Sequence, residues 1–257
     1  MRIPCIEILA LALGGVIVAG CAAPEPASVR AAPEGATLTR PQIEAIVASA
    51  DRSEADRRND QRRKPVDVLA FTGARPGMTV LDVSAGGGYT SELLARAVAP
   101  GGRVYAQTPR APSAGLSARL KTPAAANVVS VVRPFEDPVP PEVAASGLDL
   151  VTLMFNYHDF GHLGVDRARL NAAVFQALKP GGAYVIADHS GRPGTGISES
   201  GTLHRVEEAL VRREVEAAGF RLAGQGMFLR NPADPRDRNE PEPGQAKDEF
   251  VLRFVKP

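Results

Sequence analysis

Thr79-Val80-Leu81-Asp82-Val83-Ser84-Ala85-Gly86-Gly87-Gly88-Tyr89-Thr90 is the stretch on which the fold turns. Thr79 to Val83 is a short apolar, β-branched run, the pattern of a strand covered on both faces. Gly86, Gly87 and Gly88 follow, where the backbone can take positive φ and approach a ligand closely. Thr90 or Ser91 then caps a helix over Glu92–Val98, with Leu93, Leu94, Ala97 and Val98 as its apolar stripe. A buried strand, a glycine turn and a helix start form the nucleotide-binding corner of a doubly wound α/β sheet.

The rest of the chain repeats the alternation. Arg103–Gln107, Asn127–Val132, Leu148–Phe155 and Ala183–Ala187 read as further buried strands. Val165–Leu178 and Leu203–Ala218 read as helices between them, the first stopped by Lys179-Pro180-Gly181-Gly182. Phe220–Leu229 and Glu249–Val255 read as the last two strands, joined by a Pro- and charge-rich connection, Arg230–Asp248, whose length marks it as functional or disordered. Ahead of the first strand, Pro41–Ser49 is a short amphipathic helix. Asp51–Lys64 alternates acids with bases and reads as a solvated helix face laced with i,i+4 pairs such as Glu54–Arg58.

The glycines are contiguous, not spaced as G-x-G-x-x-G, and an acid stands in the strand. The segment resembles motif I of the class I S-adenosylmethionine (SAM)-dependent methyltransferases. Asp82 matches the family's acid, Gly86 and Gly88 match its later glycines, and Ser84 stands where the first glycine is usual. The L-K-P-G-G turn and Ala218-Gly219-Phe220 are similar to the same family. The resemblance implies a three-layer Rossmann-like fold over residues 40–257: a mostly parallel seven-stranded sheet with an antiparallel last strand. It implies SAM as cofactor, contacted by Asp82, Ser84, Ala85, Gly86, Gly88, Tyr89 and Asn156. Gln107 stands where an acid normally holds the ribose hydroxyls; an amide can accept one bond and donate another. Phe135 and Glu136 fall where the family flanks adenine. The Asp51–Lys64 helix, by the same likeness, folds over the cofactor. More narrowly, Ala106-Gln107 with Pro109, Tyr157-His158-Asp159, Asp188-His189-Ser190 and Arg230-Asn231-Pro232 with Asp234-Pro235-Arg236 resemble peptides of a group of predicted secreted bacterial methyltransferases.

All four histidines, His158, His162, His189 and His204, fall in or just after the two loops that follow the fourth and fifth strands. Histidine is the natural general base near neutral pH. His158 with Asp159, and His189 with Asp188, are candidate base–carboxylate pairs for methyl transfer. A metal set drawn from His158, His189, His204 and a carboxylate is chemically allowed, but no ligand spacing marks one, so no metal is expected.

Composition limits the partners. The 257 residues carry a formal net charge of +1, which favours neither nucleic acid nor an anionic membrane. There is no tryptophan, and aromatics make up 5%, so single-strand stacking surfaces are not expected. A small-molecule acceptor is the expected partner; oligomeric state is not read. Both cysteines, Cys5 and Cys21, precede the body, which therefore holds no thiol for disulfide, zinc or nucleophile. Ile8–Gly20 is too short to span a bilayer and fits the core of a signal peptide over residues 1–21. Val18-Ala19-Gly20-Cys21 resembles the bacterial lipobox, so Cys21 is the expected acylation site. Ala22, not Asp, follows it, which by analogy implies the outer membrane, facing the periplasm. Residues 22–39, rich in Ala and Pro, read as a tether.

Three functions follow on one scaffold: a SAM-dependent methyltransferase, a lipid-anchored ligand-binding module without turnover, and a metal-assisted hydrolase. Fold alone does not separate them.

Overall fold

The computed structural model describes residues 1, 36–144, 146–239 and 246–257. The signal segment, Cys21 and most of the tether lie outside the described residues. Gly35–Pro257 is one compact unit. Its strands are β1 (Thr79–Val83), β2 (Arg103–Thr108), β3 (Val128–Val132), β4 (Leu148–Met154), β5 (Leu178–His189), β6 (Arg221–Gly226) and β7 (Glu249–Val255). Its helices are α1 (Arg40–Val47), α2 (Glu54–Arg63), α3 (Pro65–Thr72), α4 (Tyr89–Val98), α5 (Ala114–Arg119), α6 (Pro141–Ala144), α7 (Arg167–Ala177) and α8 (Glu208–Ala217).

The sheet order is β3-β2-β1-β4-β5-β7-β6. The pairs β1–β2, β1–β4, β2–β3 and β4–β5 are parallel. β7 runs antiparallel to both β5 and β6. The strand reversal lies between β1 and β4, so the carboxyl ends of those two strands frame the crevice where such sheets bind ligands.

Strand periodicity explains the three layers. Leu81 and Val83 point into one apolar cluster with Leu170 and Val174 of α7 and Val211 and Val215 of α8. Val80, one residue out of phase, points into the other with Ile43, Leu69, Leu93 and Leu94 from α1, α3 and α4. Both sheet faces are thus covered, which is why β1, β4 and β5 read as near-continuous apolar runs.

Three expectations are corrected. α4 begins at Tyr89, and Gly88 is its N-cap, at φ 82, with no side-chain cap. Ser91 lies inside the helix and donates to Asp82 instead of capping. Leu203–Glu207 is not helical: His204 takes φ 49, and Val206 bridges Ser190 in parallel before α8 starts at Glu208. The α2 segment is the expected, mostly exposed face, but Asp56 and Asp60 are not spent on i,i+4 pairs. Asp56 is buried against Arg119 in a bidentate pair (2.9 and 3.0 Å). Asp60 accepts from Arg52 at 2.6 and 2.8 Å and from the Tyr89 hydroxyl at 2.7 Å. Only Glu54–Arg58, at 3.8 Å, is the expected surface pair.

Candidate functional site

Above the β1 bend lies a cavity of ≈ 260 Å³. β1 and its turn supply Asp82, Ser84, Ala85, Gly86 and Gly87; the start of α4 supplies Tyr89 and Thr90. The end of β4 supplies Met154, Phe155 and Asn156, and α2 crosses above with Asn59 and Arg63.

The bend is shaped by few contacts. Ser84, where the resemblance wants glycine, nevertheless holds φ 58. Its N–H donates to Gln107 Oε1 at 2.9 Å, and its Oγ donates to Asn156 Oδ1 at 2.6 Å. A Cβ added at Gly87 would meet nothing within 4 Å, whereas one at Gly88 would come within 2.9 Å of Leu116 and Arg119. Gly87 therefore leaves room for a ligand, while Gly88 leaves room for α5. Asp82 braces the corner: Ser91 donates to one oxygen at 2.6 Å and Thr152 to the other at 2.8 Å. Burial pushes its carboxyl up to about 6 against those two bonds.

The cavity's donor set suits an anion. The first N–H groups of α4 have no partner within the helix, and no side chain caps them. Arg63 packs its guanidinium 3.7 Å above the Phe155 ring centroid. Burial and the neighbouring Arg62 lower the Arg63 pKa to about 10, which still leaves it charged near neutral pH.

Of the expected cofactor residues, Asp82, Ser84, Ala85, Gly86, Tyr89 and Asn156 line this cavity. Gln107 does not: it is fully buried, and its Nε2 donates to the Arg133 carbonyl at 2.6 Å. Each end of the amide holds a loop, and the side chain is enclosed away from the cavity, out of a ribose's reach. Phe135 packs on Phe160 at 4.7 Å between centroids, within the core on the other side of the sheet, and neither it nor Glu136 lines the cavity. Asn59 and Arg63 come from the Asp51–Lys64 helix that the resemblance sets over the cofactor; Gly87, Thr90, Met154 and Phe155 join the lining beyond the expected residues.

The histidines assemble beside the cavity, not in it. His158 lies 5.3 Å from His189 and 5.6 Å from His204, and His204 lies 5.7 Å from His162, ring to ring. Asn156 joins the two regions, since its Nδ2 donates to Asp159 Oδ2 at 2.8 Å. His158 is buried between carboxylates, Nδ1 2.6 Å from Asp188 and Nε2 3.1 Å from Asp159. Burial opposes its charge, but the two aspartates outweigh it and raise its pKa to about 9. The same contacts, against burial, hold Asp159 down to about 2. In the metal-free protein the two carboxylates thus favour the protonated ring of His158 near neutral pH.

His189 differs. Burial lowers its pKa to about 3. The expected pairing with Asp188 is not made by its ring: Asp188 takes the backbone N–H of His189 at 2.8 Å and gives its ring contact to His158. The ring faces Phe155 at 5.5 Å, and its Nδ1 stands 3.0 Å from Glu249 Oε1 without hydrogen-bond alignment. Burial lifts Glu249 to about 7, despite Arg62 and Arg63.

Five described non-glycine residues take positive φ, and three of them, Ser84, Phe155 and His204, stand here. Strained backbone gathered at one place is the mark of a working site.

The connection after β6 closes the far edge. Arg205 and Asp234 are both fully enclosed and paired at 2.8 Å; Asp234 also accepts the N–H of Asp248 at 2.6 Å. The Asn231–Arg236 peptide, together with Asp248, is a structural knot.

Comparison with known proteins places the architecture. No family model matches the chain. The chain shares its fold with a SAM-dependent methyltransferase of Aquifex aeolicus, at TM-score 0.56 and 19% identity, over 85% of this chain and 98% of that one. The architecture is the class I methyltransferase fold: a seven-stranded, mostly parallel Rossmann-like sheet with antiparallel pairing at its end. The cyclase SpnF shares it too, at TM-score 0.57 and 17% identity, over 79% of this chain and 82% of that one. A 39-residue stretch is 59% identical to protein-L-isoaspartate O-methyltransferase of Aeropyrum pernix, spanning 15% of this chain and 15% of that enzyme.

Proposed function

We propose that this chain is a SAM-dependent methyltransferase acting on a small-molecule acceptor. The observation that carries the reading is the cavity over Gly86 and Gly87, bounded by an uncapped helix start and by Arg63. A sulfonium donor supplies an activated methyl group for direct displacement. Its carboxylate end fits the first N–H groups of α4 and the Arg63 cation. Ser84 and Asn156 fix the wall nearest β4, and Tyr89, locked to Asp60, shapes the opposite one. α2 covers the mouth and limits water.

A ligand-binding module without turnover is the second reading. It is favoured by one observation: no histidine lines the cavity. For location, we propose a periplasm-facing lipoprotein of the bacterial envelope, acylated at Cys21 and tethered through residues 22–39. Among the described residues no helix is long and apolar enough to cross a membrane. A Cys21→Ser chain that still shifts in mobility with an inhibitor of lipoprotein processing would contradict that location.

Isothermal titration of the full chain with SAM tests the donor site. Binding by the natural chain and its loss in Gly87→Val support it; equal affinity in the two removes it. Transfer of label from methyl-labelled SAM to an extract of small metabolites separates enzyme from binding module.

A further inference from the structure

The cavity leaves the adjoining side-chain cluster without a task. His158, Asp159 and His204 each offer one donor atom, and these atoms all lie within 4.8 Å of one another. Asp159 Oδ1 is the hub, 3.1 Å from His158 Nε2 and 2.9 Å from His204 Nδ1. Two ligands at right angles, each about 2.1 Å from one ion, stand about 3 Å apart. The two edges at Asp159 suit that spacing. The His158–His204 edge is held only within 4.8 Å. Two ligands about 2.1 Å from one ion stand at most about 4.2 Å apart, so half-exposed His204 has to close inward as an ion binds.

The remaining atoms are held as a metal site requires. A ligating imidazole hands its second nitrogen to a carboxylate, and a ligating carboxylate is itself hydrogen-bonded. His158 Nδ1 meets Asp188 Oδ1 at 2.6 Å, and Asp188 Oδ2 also takes the His158 N–H at 2.7 Å. The second oxygen of Asp159 takes the Asn156 amide. His204 reaches the cluster from a left-handed backbone position. His158 is buried, while the side chains of Asp159 and His204 are 22% and 39% exposed, so the cluster opens to solvent on one side.

We propose that His158, Asp159 and His204 bind a divalent first-row transition ion, leaving its remaining positions open toward solvent. Two imidazoles and one carboxylate suit zinc, iron, cobalt or nickel over the oxygen-seeking magnesium and calcium. The sequence hid the set because His204 follows Asp159 by 45 residues. The competing occupant of the same gap is a proton on His158. The site lies one side chain beyond the donor cavity, through Asn156 and Ser84, and does not depend on that cavity being filled.

The test is cobalt titration of the chelator-treated full chain, read by visible d–d absorption and by metal content after gel filtration. The expected result is one cobalt per chain, with affinity at least about tenfold weaker in His204→Ala and in Asp159→Asn, about 1.4 kcal/mol. Circular dichroism confirms that each variant is folded; half-exposed His204 is the safer of the two. Gly87→Val is expected to keep cobalt and lose SAM, which separates this site from the donor site. A folded natural chain that takes up no cobalt overturns the proposal, as does uptake that both ligand variants leave unchanged. Cobalt bound with silence toward SAM sustains the metal site and defeats the donor reading alone.

Discussion

The two sides of Asn156 are made of different chemistry. Toward β1 the polar groups are dipoles: the hydroxyls of Ser84, Ser91 and Thr152, the Gln107 amide and the N–H groups of the turn. Formal charge there is limited to Asp82, buried in the wall, and Arg63, lent by α2. Toward β5 and β7 the groups are charges in direct contact: His158 with Asp159 and Asp188, Arg205 with Asp234, Arg236 with Asp248. The first side fixes its wall with these paired dipoles and leaves the first N–H groups of α4 without a partner in the helix, as an anion site needs. The second side cancels its charges internally, so it holds shape and spares little for a nucleotide.

That contrast can be broken in order of size. Asp234→Ala strands the Arg205 guanidinium, which is 0% exposed, and is expected to cost about 3 to 5 kcal/mol in thermal or urea unfolding. A loss under 1 kcal/mol would show that the knot is ornamental. The metal-free protein should also lose stability with rising pH. The raised His158 pKa contributes stability that is whole below about 6.5 and is lost as pH climbs through about 9. The decline should reach at most about 1.4 kcal/mol per pH unit. It is best read above about pH 8, once Asp82 and Glu249 have largely ionised. His158→Gln should flatten the slope, and an unchanged slope would refute the charge assignment.

On the cavity side the effects are smaller and of another kind. Gly87→Val should weaken SAM by at least about tenfold, about 1.4 kcal/mol, with little change in melting temperature, because its side chain enters open space. Gly88→Val, by contrast, should lower the melting temperature, because it strikes Leu116 and Arg119. Ser84→Gly should shift stability least, within about 1 kcal/mol. Relief of a left-handed serine offsets the lost bond to Asn156. A larger loss would mean that the Ser84 hydroxyl, not the backbone, sets the bend.

β1 and β7 were legible to the residue, and β4 nearly so, because strands buried on both faces leave unbroken apolar runs. The glycine turn was legible because each residue there answers a local backbone demand. Gln107 was not: an amide facing a ribose and an amide stapling Ser84 to Arg133 look alike until the loops are folded. The pairing of α2's acids was not legible for a similar reason. Its acids seemed to belong to neighbours four residues away, yet Asp56 pairs 63 residues downstream. The histidine grouping was visible in loop positions, but the charge on each ring was not. Charge depends on which carboxylate faces which nitrogen, and Asp188 turned to His158. Leu203 and Val206 imitated a helical stripe while the backbone at His204 broke it.

α2 has one more property. Its only buried side chain is the carboxylate-bearing Asp56. Its own residues bring almost no apolar side chain into the core; its main contact with an apolar ring is Arg63 over Phe155. Chaotropes act in proportion to the area newly wetted. Native-state hydrogen exchange should therefore find its amides opening at a rate almost indifferent to urea, while those of β1 and β4 respond steeply. A segment made this way can part from the body without offering a sticky face to a neighbour.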